Sequence, residues 1–316
     1  MLTTLKTGLF KGLETTWSLG KVIFPVTLII TILSHTVLFD FLIRGISPVM
    51  GWLGLPGEAA VPLVFGNLLN LYAGIGAILS MDLTVKSVFI LVVMMSFSHN
   101  LLIECGVASR VGVKVWIIVL IRLGLAIASA VAIGHLWHGG STQADYGFLS
   151  TGDSVPATWL GWLWDGLEKA LMGILQLAII VIPLMVIIQI LKDLHWMAVF
   201  AKGMAPVTKF LGMQSNASMT LASGLILGLT YGAGVMVQSV KEDHLDKRSL
   251  YLSFIFLVSC HAVVEDTVIF APLGISLWPL VVLRLGVAIL FTWIVGLLWR
   301  KTKLTEVLNE KGSQVS

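Results

Sequence analysis

The sequence predicts an all-α polytopic membrane protein built from two inverted-topology repeats, each holding three transmembrane helices and one re-entrant helical hairpin. Three observations carry this reading. First, 57% of the 316 residues are hydrophobic and 12% are charged, with mean hydropathy +0.96, a profile foreign to soluble domains. Second, the two halves of the chain repeat one another. Third, one threading of the chain puts nearly all lysine and arginine on a single side of the bilayer.

Residues 1–21 come first. Leu2, Leu5, Leu9, Leu13 and Trp17 share one helical face with Lys6 and Lys11 off it, the pattern of an interfacial amphipathic helix. The Lys-bearing flank also suits a signal peptide, but the apolar stretch that follows is longer than a signal core and lacks an A-x-A site, so it is read as a retained span. A span needs about 20 mostly apolar residues, and such stretches lie at 22–40, 87–104, 115–137, 169–191, 249–270 and 276–299. Segments 58–80 and 214–240 are apolar too, yet rich in Gly, Asn, Ser and Thr. Irregular backbone at membrane depth has to be covered by protein or face water, and small residues permit the close packing this needs. These two segments are expected to be the hairpins. The first repeat then covers 22–137 and the second 168–300. Residues 138–167, without Lys or Arg but with Trp159, Trp162 and Trp164, form an extracytoplasmic linker, and 301–316 a cytoplasmic tail.

The repeat is visible by direct comparison. "LIRLGLAI" (120–127) matches "VLRLGVAI" (282–289), and Trp137 answers Trp299 at the same offset of 162. Upstream, "SPVMGWLGL" (47–55) answers "APVTKFLGM" (205–213), "GIG" (74–76) answers "GAG" (232–234), and Pro25 answers Pro183, all at an offset of 158. The charged loop "KEDHLDKR" (241–248) absorbs the difference.

Cytoplasmic loops carry the excess of Lys and Arg. If all eight apolar stretches crossed, eleven basic residues would be cytoplasmic and six outside. If 58–80 and 214–240 enter and leave on one side, the counts become fifteen and two, the outer pair being Arg44 and Lys86. Three crossings per half invert one half relative to the other, which places a substrate site near the midplane at the repeat interface. Both termini are then cytoplasmic, in a bacterial inner membrane.

Ionisable residues inside such a membrane mark functional sites, because of what they cost. At offset 162, "SFSHNLLIEC" (96–105) lies over "LVSCHAVVEDT" (257–267), pairing His99 with His261, Ser98 with Cys260 and Glu104 with Asp266. His261 and Glu265, four apart, share a helical face, whereas His99 and Glu104, five apart, lie about 140° from each other on a continuous helix. Both histidines fall near the bilayer midplane, where the pseudo-twofold axis can bring them together. The expected polar lining is His99, Asn100, Glu104, Cys260, His261, Glu265 and Asp266, with Asn67, Asn70, Thr230 and Tyr231 from the hairpins. Three uses are open: a transition-metal site on His99, His261, Cys260 and Glu265; a site for a small organic solute, with a carboxylate taking a coupling proton or sodium ion; or a closed network tying helices together. Arg122 and Arg284 are salt-bridge partners for the carboxylates, since a buried charge is usually paired.

Several classes are excluded. A net charge of +3 and the lack of a basic, aromatic-interleaved surface argue against nucleic acid. Cys105 and Cys260 lie in or beside spans and do not suggest a disulfide. No phosphate loop, H-E-x-x-H, CxxC or G-x-S-x-G motif is present, so no enzyme is expected. The expected partners are lipid, a small solute or ion, and further copies of the chain.

The "SHNLLIE" and "CHAVVEDT" segments, together with the paired hairpins, resemble the nucleoside-recognition or Gate-domain membrane proteins over roughly residues 20–300. That family takes in spore maturation proteins, the gate regions of ferrous-iron transporter B and, more distantly, concentrative nucleoside transporters. The resemblance implies a transport-like inverted-repeat scaffold. The chain differs from the iron transporters in having no sequence for a GTP-binding domain and from the nucleoside transporters in being shorter. The expected function is a secondary transporter or channel-like protein moving a nucleoside-like solute or a divalent metal cation by alternating access. The alternative is a non-transporting membrane scaffold acting with a partner, as the likeness to spore maturation proteins permits.

Overall fold

A computed structural model describes residues 2–147, 158–242 and 245–313, with side chains described outside 230–233, 235–242 and 300–313. Among the described residues the chain is helical apart from turns, two 3-10 turns and the irregular stretch 137–147, which holds one isolated bridge between Gln143 and Thr84. The first half contains α1 (Leu2–Ser34), α2 (Val37–Trp52), α3 (Ala60–Leu68), α4 (Leu71–Leu79), α5 (Val85–Ser98), α6 (Leu101–Val111) and α7 (Val115–Leu136). The second contains α8 (Trp159–Asp193), α9 (Trp196–Phe210), α10 (Ala217–Glu242), α11 (Lys247–Ser259), α12 (Val263–Ile269) and α13 (Leu277–Ser313).

The repeat seen in the sequence recurs in the element boundaries: α1 answers α8, α2 answers α9, α3 with α4 answers α10, α5 with α6 answers α11 with α12, and α7 answers α13. The backbone punctuation agrees. Gly54 (φ 73°) and Gly212 (φ 81°) end α2 and α9, while Gly112 (φ 85°) and Gly274 (φ 66°) precede α7 and α13. Each uses the left-handed region open to glycine without penalty.

The segment expected to form the first hairpin is two nine-residue helices, α3 and α4, packed on each other. At ~1.5 Å per residue neither can cross a ~30 Å apolar core. The chain turns at Asn70, whose side chain caps α4 by accepting from the Ala73 N–H at 2.9 Å. Close approach is made possible by glycine, since a Cβ on Gly74 would stand 3.2 Å from the Gly66 Cα. In the second half the equivalent of Asn70 is Gly228, where α10 breaks with φ 80° and ψ 169°, a conformation essentially confined to glycine.

Among the described residues, six helical segments are long and apolar enough to cross a membrane: Leu2–Ser34, Val85–Val111, Val115–Leu136, Trp159–Asp193, Lys247–Ile269 and Leu277–Trp299. A seventh arises only if α2 and residues 57–68, bent by 88°, are taken as one span. The protein is a multi-pass all-α membrane protein. Two of the six differ from the others: in an apolar 18-residue stretch of each, 72% of Val85–Val111 and 78% of Lys247–Ile269 is buried, against 28–33% for the remaining four. The centre of the molecule is therefore α5–α6 and α11–α12, with α1, α7, α8 and α13 at the rim presenting apolar faces outward.

Two expectations change. The division at residue 21 between an interfacial helix and a span has no counterpart in the backbone, because α1 runs unbroken through it. Neither Gly20 nor Pro25 interrupts it, and Gly8 and Gly12 let α1 pack closely along α8 at Val186 and Ile182. The spans at 87–104 and 249–270 are not single helices; each is interrupted just after its midpoint, at 99–100 and at 260–262.

A Cβ at Gly12 would stand 2.8 Å from the Ile182 Cα, while one at Gly124 would meet nothing within 4 Å. Gly12→Ala should therefore lower thermal stability by about 1–3 kcal/mol through overpacking. Gly124→Ala should be neutral or raise it by up to ~1 kcal/mol through helix propensity. Thermal unfolding of the purified variants in one detergent checks both.

Candidate functional site

The two interruptions meet at the centre of the protein. Neither contains glycine or proline, so the break has another cause, and both are built alike. His99 ends α5 in an extended conformation (φ −56°, ψ 161°), and Asn100 follows in the left-handed region at φ 55°, ψ 32°. In the second half Cys260 is extended (φ −157°, ψ 89°), and Ala262 is left-handed at φ 40°, ψ 41°. A non-glycine residue in that region costs about 1–2 kcal/mol, so the surroundings have to hold it there.

They do so by satisfying the backbone groups that the breaks release. On the donor side, the Asn100 N–H donates to the Gly66 carbonyl at 2.9 Å and the Ala262 N–H to the Gly224 carbonyl at 3.0 Å. On the acceptor side stands an arginine from the last span of each half. Arg122 on α7 donates from Nε to the Phe97 carbonyl at 2.8 Å and from its guanidinium to the His99 carbonyl. Arg284 on α13 donates to the His261 carbonyl at 2.8 Å and to Thr267 Oγ1 at 3.2 Å. A side chain inserted into the helical ladder is a recognised source of a break.

Each arginine also holds a carboxylate. Arg122 pairs with Glu104 Oε2, and Arg284 with Asp266 Oδ2 at 3.0 Å, all four side chains being buried. The second oxygen of Glu104 reaches across the molecule: Oε1 lies 3.5 Å from His99 Nε2 and 3.2 Å from His261 Nε2. The two imidazoles have ring centroids 5.2 Å apart, and Asp266 Oδ2 is 4.0 Å from His261 Nε2. One ligating atom each from His99, His261 and Asp266 falls within a mutual distance of 4.8 Å. The outer ring nitrogens are held too, His99 Nδ1 by the Met95 carbonyl at 2.6 Å and His261 Nδ1 by the Leu257 carbonyl at 2.9 Å.

A family profile described as Gate, nucleoside recognition, matches residues 16–134 and 174–276, one segment in each half. The chain belongs to the Gate family. The uncharacterized membrane protein YvoD of Bacillus subtilis (strain 168) is 55% identical over 303 residues, covering 96% of this chain and 97% of that protein. No solved structure matches the chain.

In this Gate protein the residues singled out from sequence fall into three groups. His99, His261, Glu104 and Asp266 are brought together. Cys260 and Glu265 are not among them; the ligating atoms that lie within 4.8 Å of one another belong to His99, His261 and Asp266, and Glu104 joins these through its contacts with the two imidazoles. Cys260 is extended, so its side chain and that of His261 point to opposite sides, and Glu265 precedes Asp266 by one residue on α12, about 100° around that helix. Asn70 is engaged as a helix cap. Asn67 donates to the Leu63 carbonyl at 2.7 Å, but its Oδ1, like that of Asn100, is buried with no partner among the described residues. Thr230 and Tyr231 lie on α10 with side chains outside the described residues.

The angular estimate for His99 and Glu104 is corrected: they are neighbours at 3.5 Å, because the helix between them is broken and the 140° separation does not apply. Reading the sequence also leaves out Thr267, Gly66 and Gly224 as parts that hold the site. The signal for the glycines was available, since they pair at the hairpin offset of 158.

Arg122→Met should lower stability by about 3–5 kcal/mol, since it strands the Glu104 carboxylate in the interior. Arg122→Met/Glu104→Leu should recover part of that loss. The deficit that remains reports the Phe97 and His99 carbonyls left without a donor. Thermal unfolding of wild type and both variants measures the three values.

Proposed function

We infer that the protein is a secondary transporter, moving a nucleoside-like polar solute or a divalent cation by alternating access of two inverted halves around the His99, His261 and Glu104 cluster. One observation carries this reading: Glu104 Oε1, from the first half, faces His261 Nε2, from the second, at 3.2 Å in the middle of the chain's two most buried spans. A site made by both halves is one that their relative motion opens and closes. Charged groups at such depth are costly and are retained in membrane proteins mainly along solute or ion pathways. The unpartnered Oδ1 atoms of Asn100, next in sequence to His99, and of Asn67, next to the Gly66 whose carbonyl accepts from the Asn100 N–H, are acceptors open to a solute that carries hydrogen-bond donors. Family membership supports the same direction, the Gate region being described by nucleoside recognition.

The second reading, a sealed membrane scaffold, is favoured by the full engagement of Arg122, whose Nε and both terminal nitrogens are bonded inside the protein. Cysteine labelling separates the two. In a Cys105→Ser/Cys260→Ser background, single cysteines replacing Asn67 or Asn100 should react with a small polar thiol reagent from at least one side of sealed vesicles. If neither position reacts from either side, the carrier reading is lost.

The inverted arrangement, with both termini cytoplasmic in the bacterial inner membrane, is tested separately. Reporters fused after Gly152 and after Glu242 should register outside and inside respectively. A cytoplasmic Gly152 fusion would rule out inverted halves.

A further inference from the structure

We propose that the central cluster is a binding site for a divalent transition-metal cation, with Nε2 of His99 and Nε2 of His261 as its nitrogen ligands and Glu104 and Asp266 as its oxygen ligands. This deepens the reading of the cluster as the transport site and rests on it for the claim that the metal is cargo.

The first step concerns tautomers. A backbone carbonyl can only accept, so Nδ1 of each ring, facing the Met95 and Leu257 carbonyls at 2.6 and 2.9 Å, carries a hydrogen. In the neutral ring that leaves the lone pair on Nε2. Both lone pairs then point at Glu104 Oε1, at 3.5 and 3.2 Å, an oxygen that can itself only accept. Three electron-rich atoms converge with nothing between them that is positive. A single proton on one ring relieves one of these contacts, whereas a metal ion relieves all of them.

The second step concerns size. Bonds of ~2.0–2.2 Å from nitrogen and oxygen to a metal such as zinc place any two ligands at most ~4.3 Å apart. The donor atoms of His99, His261 and Asp266 lie within 4.8 Å of one another; three ligands sharing one ion at that bond length stand at most about 3.8 Å apart, so the set closes by up to about 1 Å when it takes up an ion.

The third step concerns support. A ligating imidazole characteristically donates its other N–H to a carbonyl or carboxylate, and ligating carboxylates are themselves hydrogen-bonded. Both features are built here: the Nδ1 contacts orient the rings, Arg122 holds Glu104 by Oε2 and leaves Oε1 for the cluster, and Arg284 holds Asp266.

The donor set defines the class of ion. Two imidazoles and carboxylate oxygen suit manganese, iron(II), cobalt or zinc, while magnesium and calcium take oxygen alone and copper(I) requires the thiolate that Cys260 does not bring. Because the arginines cancel the carboxylate charges, the dication is held by its donor atoms and not by net charge, as suits an ion that is loaded and released.

The test uses the purified full-length protein with the chlorides of Mn²⁺, Co²⁺, Zn²⁺ and Mg²⁺, each alone. The first three should raise the thermal midpoint and Mg²⁺ should leave it unchanged. Co²⁺ should give a visible absorption band that saturates at one equivalent, a readout independent of stability. Both signals should vanish in His99→Gln/His261→Gln and persist in Cys105→Ser/Cys260→Ser. No band in the wild type, or a band that survives the histidine substitutions or is lost with the cysteines, overturns the proposal. Metal binding with positions 67 and 100 unlabelled would leave the metal site standing and remove the carrier. Labelled positions with no metal signal would do the reverse.

Discussion

The structure depends on two buried arginines bonding to the carbonyls of broken helices. A helix interrupted inside an apolar protein interior leaves backbone groups that water cannot reach, each costing several kcal/mol if unmet. Arg122 and Arg284 supply donors to the carbonyls that the breaks release, and the hairpin glycines Gly66 and Gly224 supply acceptors to the amides. Each arginine then requires a counter-charge, which Glu104 and Asp266 provide. The chemistry at the centre follows from the need to stabilise the irregular backbone, and the irregular backbone is what aims His99 and His261 at each other.

This ordering explains what could be read from the sequence. The repeat, the histidine pair and the pairing of arginines with carboxylates are all carried by residue identity at fixed offsets, and survive any error about local conformation. The break at His99 is different. The segment 96–104 contains no glycine or proline, and the polar run Ser98, His99 and Asn100 does not by itself end a helix, so the sequence is read as one helix. The interaction that breaks it comes from residue 122, on another helix, and no local pattern reports it. The same holds in the second half: a helical projection groups His261 with Glu265, four residues on, but across the kink at 260–262 Asp266, five residues on, comes near His261.

The two halves are alike in plan and unlike in detail, and the difference falls on the site. Arg122 bonds through Nε as well as both terminal nitrogens, whereas Arg284 Nε is buried without a partner among the described residues. Glu104 reaches both histidines, while Asp266, one methylene shorter, reaches only His261, and at 4.0 Å. The first half is the more completely bonded.

That asymmetry bears on motion. If the halves move against each other, the contacts at the site that must part are those of His261 with Glu104 and with His99, because they join residues of different halves. The arginine bonds join residues within a half and can travel with it. A carboxylate anchored by Arg122 keeps its place when the contact parts, and His261, held through Nδ1 by its own helix, keeps its orientation. Each half thus carries a preformed portion of the site, and opening separates the portions without dismantling either. A bound cation bridging Glu104 and His261 would tie the halves together, so loading and closure would be the same event, and release would need the halves to part.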